Sequence, residues 1–211
     1  TKTGSNEVTQ WNNKEGTTSR DLLQASTGDA PTWTSANQNG LNTLNFTGNS
    51  FMNSATTLAA ETAPITAFFA CKIPASPSGT QFIMSNKSAG AGGTVYHPLY
   101  TETDSTIRLS NTTGGTIVVN DNSLMGSFVY CTSVSNGTSG FMRLNGALEA
   151  TTPSAPIGTS GEFVGMSVGY YADVAIRWWN ELIGEIIIYN KLLSATEITT
   201  IETYLADKWI P

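Results

Sequence analysis

Tyr170-Tyr171-Ala172-Asp173, followed shortly by Trp178 and Trp179, sets aromatic rings beside a carboxylate. A ring face offers stacking, and an adjacent acid or amide offers hydrogen bonds to hydroxyl groups. The ligand chemistry that presents both an apolar face and a ring of hydroxyls is carbohydrate. Neighbouring residues of a strand point to opposite faces, so Trp178 and Trp179 divide between the core and an outer surface. Two readings of the pair stand: rings packing either side of a sheet, or one ring displayed for binding. Tyr96, His97 and Tyr100 form a second cluster of the same kind. His97 is the single histidine, and Pro98 after it keeps its backbone extended. It reads as a polar residue at a strand end, because no nucleophile-elbow pattern accompanies it. Asn120-Asp121-Asn122 is either a plain turn or a calcium corner, with Asn120 and Asp121 as oxygen ligands. No His or Cys cluster has metal-ligand spacing. The two cysteines, Cys71 and Cys131, stand in separate strand-like segments and read as buried thiols or as one cross-strand bridge.

Composition bounds what those residues can serve. Only 12% of the 211 residues are charged, while the chain holds 31 Thr, 21 Ser, 17 Asn and 20 Gly. Thr suits strands, and Asn and Gly suit turns. With 39% hydrophobic residues the chain carries enough apolar surface to fold. A single domain of this length buries roughly 70% of its unfolded surface, so the core needs no staples. The net charge of −6, with ten Lys and Arg and no basic cluster, disfavours nucleic acid. No apolar run approaches the length of a membrane span. The chain starts at Thr1 without a signal peptide, which reads as a processed form or an excised domain. Four Asn-x-Ser/Thr sequons, at Asn45, Asn86, Asn111 and Asn136, are what chance supplies at this Ser and Thr content.

The elements that must position the rings are short strands. Alternation and β-branched content predict strands at Glu7–Trp11, Asp21–Gln24, Leu41–Phe46, Ile65–Ile73, Gln81–Ser85, Val95–Tyr100, Thr106–Ser110 and Thr116–Val119. They continue at Phe128–Val134, Gly140–Leu144, Ala147–Ala150, Phe163–Gly169, Ala175–Trp179 and Ile183–Tyr189. In Ile65–Ile73 the alternation predicts one solvated face. Asn145-Gly146 supplies the two positive-φ residues of a tight hairpin. One helix is predicted near Ala195–Lys208: Ser194 and Glu197 form a capping box, and Ile198, Ile201, Leu205 and Trp209 recur at helical spacing. So many strands expose a large apolar face unless two sheets stack. No linker divides the chain, which reads as one domain over residues 1–211.

Three stretches in this order resemble the concanavalin A-like lectin/glucanase superfamily, in particular its laminin G-like and pentraxin-like branch. They are Asn39-Gly40-Leu41 through Phe46-Thr47-Gly48, then Phe128 to Val134 with Asn136-Gly137 and Phe141 to Gly146, and last Gly184 to Asn190 with the Leu193–Trp209 segment. The resemblance implies an all-β, two-sheet antiparallel sandwich of jelly-roll type with one C-terminal α-helix. It also implies a disulfide between neighbouring strands, with Cys131 matching one half and Cys71 placed a few residues deeper than the other. The superfamily's glucanases carry Glu-x-Asp-x-x-Glu on one strand. Here Glu102-Thr103-Asp104-Ser105-Thr106-Ile107 puts an isoleucine where the acid/base belongs, in a Thr/Ser-rich turn, so no catalytic residue is assigned.

These observations lead to a non-catalytic recognition module for a glycan or host surface, on a secreted or virion-surface protein such as a phage tail or head appendage. Its expected site is Tyr170, Tyr171, Asp173 and Trp178. The alternative is a structural virion or surface protein that contacts other such proteins and binds no sugar. A glycoside hydrolase or lyase comes third. Calcium is the one cofactor the sequence raises.

Overall fold

The computed structural model describes residues 1–16, 20–54, 64–86, 96–111, 116–136, 139–152, 165–171 and 177–211. Period-2 patterning becomes fifteen strands among these residues: β1 (Gln10–Trp11), β2 (Leu22–Leu23), β3 (Thr32–Gln38), β4 (Leu41–Asn45), β5 (Met52–Ser54), β6 (Ile65–Lys72), β7 (Gln81–Asn86) and β8 (Tyr96–Thr101). Then follow β9 (Ile107–Asn111), β10 (Thr116–Val119), β11 (Phe128–Ser135), β12 (Gly140–Leu144), β13 (Ala147–Thr152), β14 (Met166–Val168) and β15 (Leu182–Tyr189), and the helix α1 (Ala195–Trp209) closes the order. One sheet has the order β1-β2-β5-β14-β7-β8-β9-β10, the other β13-β12-β11-β6-β15-β4-β3. Neighbouring strands pair antiparallel throughout. The expected antiparallel sandwich with a single C-terminal helix is the fold observed.

Strands β3 and β5 were not anticipated. Their Thr, Asn and Ser residues break the apolar alternation. Of Ala175–Trp179 only a parallel bridge from Trp178 to Phe82 forms among the described residues. The Asn145-Gly146 hairpin is as expected, with φ of 49° and 79° and Leu144 opposite Ala147.

Two apolar layers hold the molecule. Ile65, Ala67, Phe69 and Cys71 of β6 join residues of both sheets in the inter-sheet core. The alternate residues Phe68 and Ala70 join Leu193, Ile198, Leu205 and Trp209 in a second layer under α1. The expectation of a half-solvated strand at Ile65–Ile73 is therefore corrected. Every residue from Ile65 to Cys71 is buried, because α1 lies over the face that alternation alone leaves open. The helix begins on its capping box: Ser194 Oγ accepts from the Glu197 amide at 3.3 Å, and Glu197 accepts from the Ser194 amide at 2.7 Å. Its last carbonyls are covered by the β3–β4 turn, where Gln38 Nε2 donates to Trp209 O at 2.7 Å and Asn39 Nδ2 to Lys208 O at 3.0 Å.

The disulfide implied by the resemblance is absent. Cys71 and Cys131 do lie on the adjacent strands β6 and β11, and both thiols are buried and free. Cys71 stands opposite Val129 and Cys131 opposite Phe69, so the two are diagonal, two residues out of register. Such a diagonal spans about 7–8 Å, and a bridge needs a Cα separation of about 4.4–6.8 Å.

Candidate functional site

The helix covers the outer face of the seven-stranded sheet. The outer face of the eight-stranded sheet carries an aromatic layer instead. Alternation sends Ile83 and Leu99 into the core. Phe82 of β7 and Tyr100 of β8 therefore turn outward, opposite one another in register. Their rings stack at 4.8 Å, and Tyr171, just beyond β14, stacks on Phe82 at 5.1 Å. The Arg177 guanidinium lies 5.6 Å from the Tyr171 ring centroid and 5.9 Å from that of Phe82. Both distances are within cation–π range.

A second ring group adjoins. Tyr170 and Trp178 stack at 5.2 Å with their planes 12° apart, and Phe51 meets Tyr170 at 4.6 Å and Trp178 at 5.8 Å. Tyr170 Oη donates to Asn53 Oδ1 at 3.3 Å, and Ser167 Oγ donates to the same oxygen at 2.7 Å.

The backbone explains how these rings arrive together. Gly169 has φ of 89°, and a Cβ there would stand 2.5 Å from the Phe46 ring. Only glycine fits the bend that turns the chain out of the core after Val168. The Gly169 amide donates to Ile83 O at 2.9 Å, and its carbonyl accepts from the Trp179 amide at 2.8 Å. The Phe82 amide donates to Arg177 O at 3.2 Å, which pins the 177–179 segment across β7.

The expected division of the two tryptophans is the one found. Trp179 is fully buried in the inter-sheet core, and Trp178 is half-buried among the outer rings. Tyr171 and Phe51 are also half-buried, and Arg177 is exposed. Tyr170, at 9% exposure, is the floor beneath Phe51 and Trp178 rather than a displayed ring. Asp173 lies outside the described residues. Tyr96 and His97 belong to β8, their side chains outside the described set, and Tyr100 joins the Phe82–Tyr171 stack. Phe51, Phe82 and Arg177 were not expected at the site. Strand register brings Phe82 onto Tyr100, and a sequence carries no local mark of register.

The carboxylates of the other candidates have partners within the chain. The Asp121 carboxylate caps a short 3₁₀ turn, accepting from the Ser123 amide at 2.9 Å and the Ser123 hydroxyl at 2.5 Å. Those bonds, the hydroxyl's first, hold its pKa below the ordinary carboxylate value. Glu102 and Asp104 occupy the β8–β9 turn, where Thr80 Oγ1 donates to Glu102 at 2.7 Å and Arg108 pairs with Asp104 at 2.7 Å. Ile107, at the third motif position, is buried in the core. A cleft of about 650 Å³ opens elsewhere, lined by Ile186 and Ile188 of β15, Leu22, Met166 and Trp11. It exists because β15 pairs with β4 only at Leu182 and Ile183. Its walls mix aliphatic side chains with Trp11, Tyr189 and Trp209 and with polar residues such as Asn12, Asn13 and Arg20, and Glu185 among them already accepts from Tyr204, Lys208 and Trp209.

No family model and no curated sequence matches the chain. Solved structures do. A heptameric SAP-like pentraxin from Limulus polyphemus aligns with a TM-score of 0.53 at 15% identity, over 72% of this chain and 75% of that one. The botulinum neurotoxin serotype G binding domain aligns at 0.57 and 11% identity, over 89% of this chain and 49% of that one. Trypanosoma rangeli sialidase in complex with sialic acid aligns at 0.56 and 13% identity, over 88% of this chain but 31% of the sialidase. At such identities the likeness speaks for architecture alone, and with the two antiparallel sheets described above it gives this chain the concanavalin A-like lectin fold.

Proposed function

We propose that residues 1–211 form one non-catalytic carbohydrate-binding module, with its site on the outer aromatic face of the eight-stranded sheet. The observation that carries this reading is the half-exposed set Trp178, Tyr171 and Phe51, seated on buried rings on the face that α1 does not cover. Rings fixed by stacking bind sugar faces with little further loss of side-chain freedom. A pentraxin and a toxin binding domain among the similar structures support a recognition role. A non-catalytic role is supported by Glu102 and Asp104, which spend their carboxylates on a turn. The setting that fits a Thr/Asn/Gly-rich, charge-poor chain is a secreted or surface protein, including a virion appendage.

The test is a glycan array probed with wild type, Trp178→Ala and Tyr171→Ala, with a melting curve for each. A lost stacking contact weakens binding by on the order of 1 kcal/mol, and the fold persists. The assembly reading has its own support, since Phe82, Tyr100 and Tyr170 are already buried. Absent glycan binding by wild type, together with a stable oligomer that Trp178→Ala dissolves, decides for assembly.

A further inference from the structure

The chain has four arginines, all within the described residues. Arg20 pairs with Glu15, Arg108 with Asp104 and Arg143 with Glu202. Among the described residues Arg177 has no carboxylate partner, and its guanidinium lies against the faces of Tyr171 and Phe82. In a chain of net charge −6 this is an exposed cation on the aromatic face that no described carboxylate neutralises. Its backbone is also unusual: φ is 71°, in the region that glycine or asparagine takes most readily. A Gly there would be easier to accommodate, yet the position holds the side chain best suited to a carboxylate. A guanidinium lying against a ring keeps its N–H edge free and offers two parallel donors.

Resting on the carbohydrate reading above, we propose that the module prefers a sugar carrying a carboxylate, a uronic or nonulosonic acid. Arg177 takes the carboxylate in a forked pair while Tyr171 and Trp178 pack against the sugar ring. Arg177 precedes Trp178 directly, and its carbonyl accepts from the Phe82 amide, so cation and rings are held on one surface against β7. The stacked rings orient the ligand, and the guanidinium selects its charge.

The experiment titrates wild-type protein with oligosaccharides ending in a hexuronic or a nonulosonic acid and with the carboxyl-reduced form of each. Wild type favours the acidic form by about tenfold, as a charge-assisted pair supplies, and the preference shrinks as salt is raised. Arg177→Gly suits the positive φ and keeps the melting temperature, yet it loses the preference while retaining residual affinity for the reduced sugars. Arg177→Lys keeps the charge but not the fork and retains part of the preference. Equal affinity of wild type for acid and reduced forms overturns the inference and leaves the carbohydrate reading standing. So does an acid preference that survives Arg177→Gly. Binding of neither form by wild type overturns both.

Discussion

Glu202 is a carboxylate inside the molecule, 5% exposed, on a helix whose neighbours give no sign of it. It accepts from Thr132 Oγ1 at 2.6 Å and pairs with Arg143 at 3.2 Å, which ties α1 to β11 and β12. Replacing it with Ala removes bonds to a charged group, each worth about 1.5–3 kcal/mol. We expect Glu202→Ala to lower the denaturation midpoint accordingly and Glu202→Gln to lower it less. Equal midpoints for wild type and Glu202→Ala sink this account. The cysteines give a second residue-scale expectation. Burial raises both thiol pKa values, so the folded protein resists a thiol reagent at neutral pH and reacts at two sites in denaturant. Prompt labelling of the native protein contradicts the packing described. What the sequence disclosed at this scale was face, not partner. Trp178 and Trp179 had to part by alternation, and they do. That Arg177 would lie on Phe82, or Glu202 of α1 meet Thr132 and Arg143, depends on strands and helix meeting across distant stretches of chain.

At the scale of elements, α1 was the most legible part, because its start and apolar stripe are both local. Ile198 and Leu205 are buried as the spacing predicts, with Ile201 half-buried beside them. Leu205→Ala should cost about 2–5 kcal/mol, as for other buried leucines, and an unchanged urea midpoint refutes that. Gly184 is the facing requirement in β15: a Cβ there would come within 2.7 Å of the Trp209 ring. Gly184→Ala should destabilise by about 1–3 kcal/mol through overpacking, and chemical denaturation measures it. The capping box sets a pH dependence. The Ser194 amide, then Lys191 and the Ser194 hydroxyl, hold the Glu197 carboxyl at about 2, against an ordinary 4.5. A depressed carboxyl pKa stabilises the fold fully above about pH 4.5 and ceases to do so as pH falls toward 2. Glu197→Gln should flatten that part of the stability profile, and parallel slopes for the two proteins contradict it. Strands were less legible where tertiary packing overrode pattern. Strand β6, buried from Ile65 to Cys71, looked half-solvated because its cover arrives from residues more than a hundred positions later.

At the scale of the molecule, two stacked sheets followed from strand number and apolar content, whereas the strand order did not. The seven-stranded sheet seats β15, late in the sequence, between β6 and β4 from the first third. The turn that covers the last carbonyls of α1 lies 171 residues upstream of Trp209 at Gln38. This order has a consequence for synthesis. Strands β3 and β4 touch β6 only through β15, so that sheet stays in two pieces until Leu182–Tyr189 has been made. Strand β15 is a keystone, and this sheet cannot assemble strand by strand in chain order. Long-range pairing of this kind folds slowly, and the waiting pieces expose unpaired edges. Chains halted before Leu182 should therefore remain protease-sensitive and prone to aggregate, and completion of residues 182–211 should bring protection to both ends of the sheet in a single step.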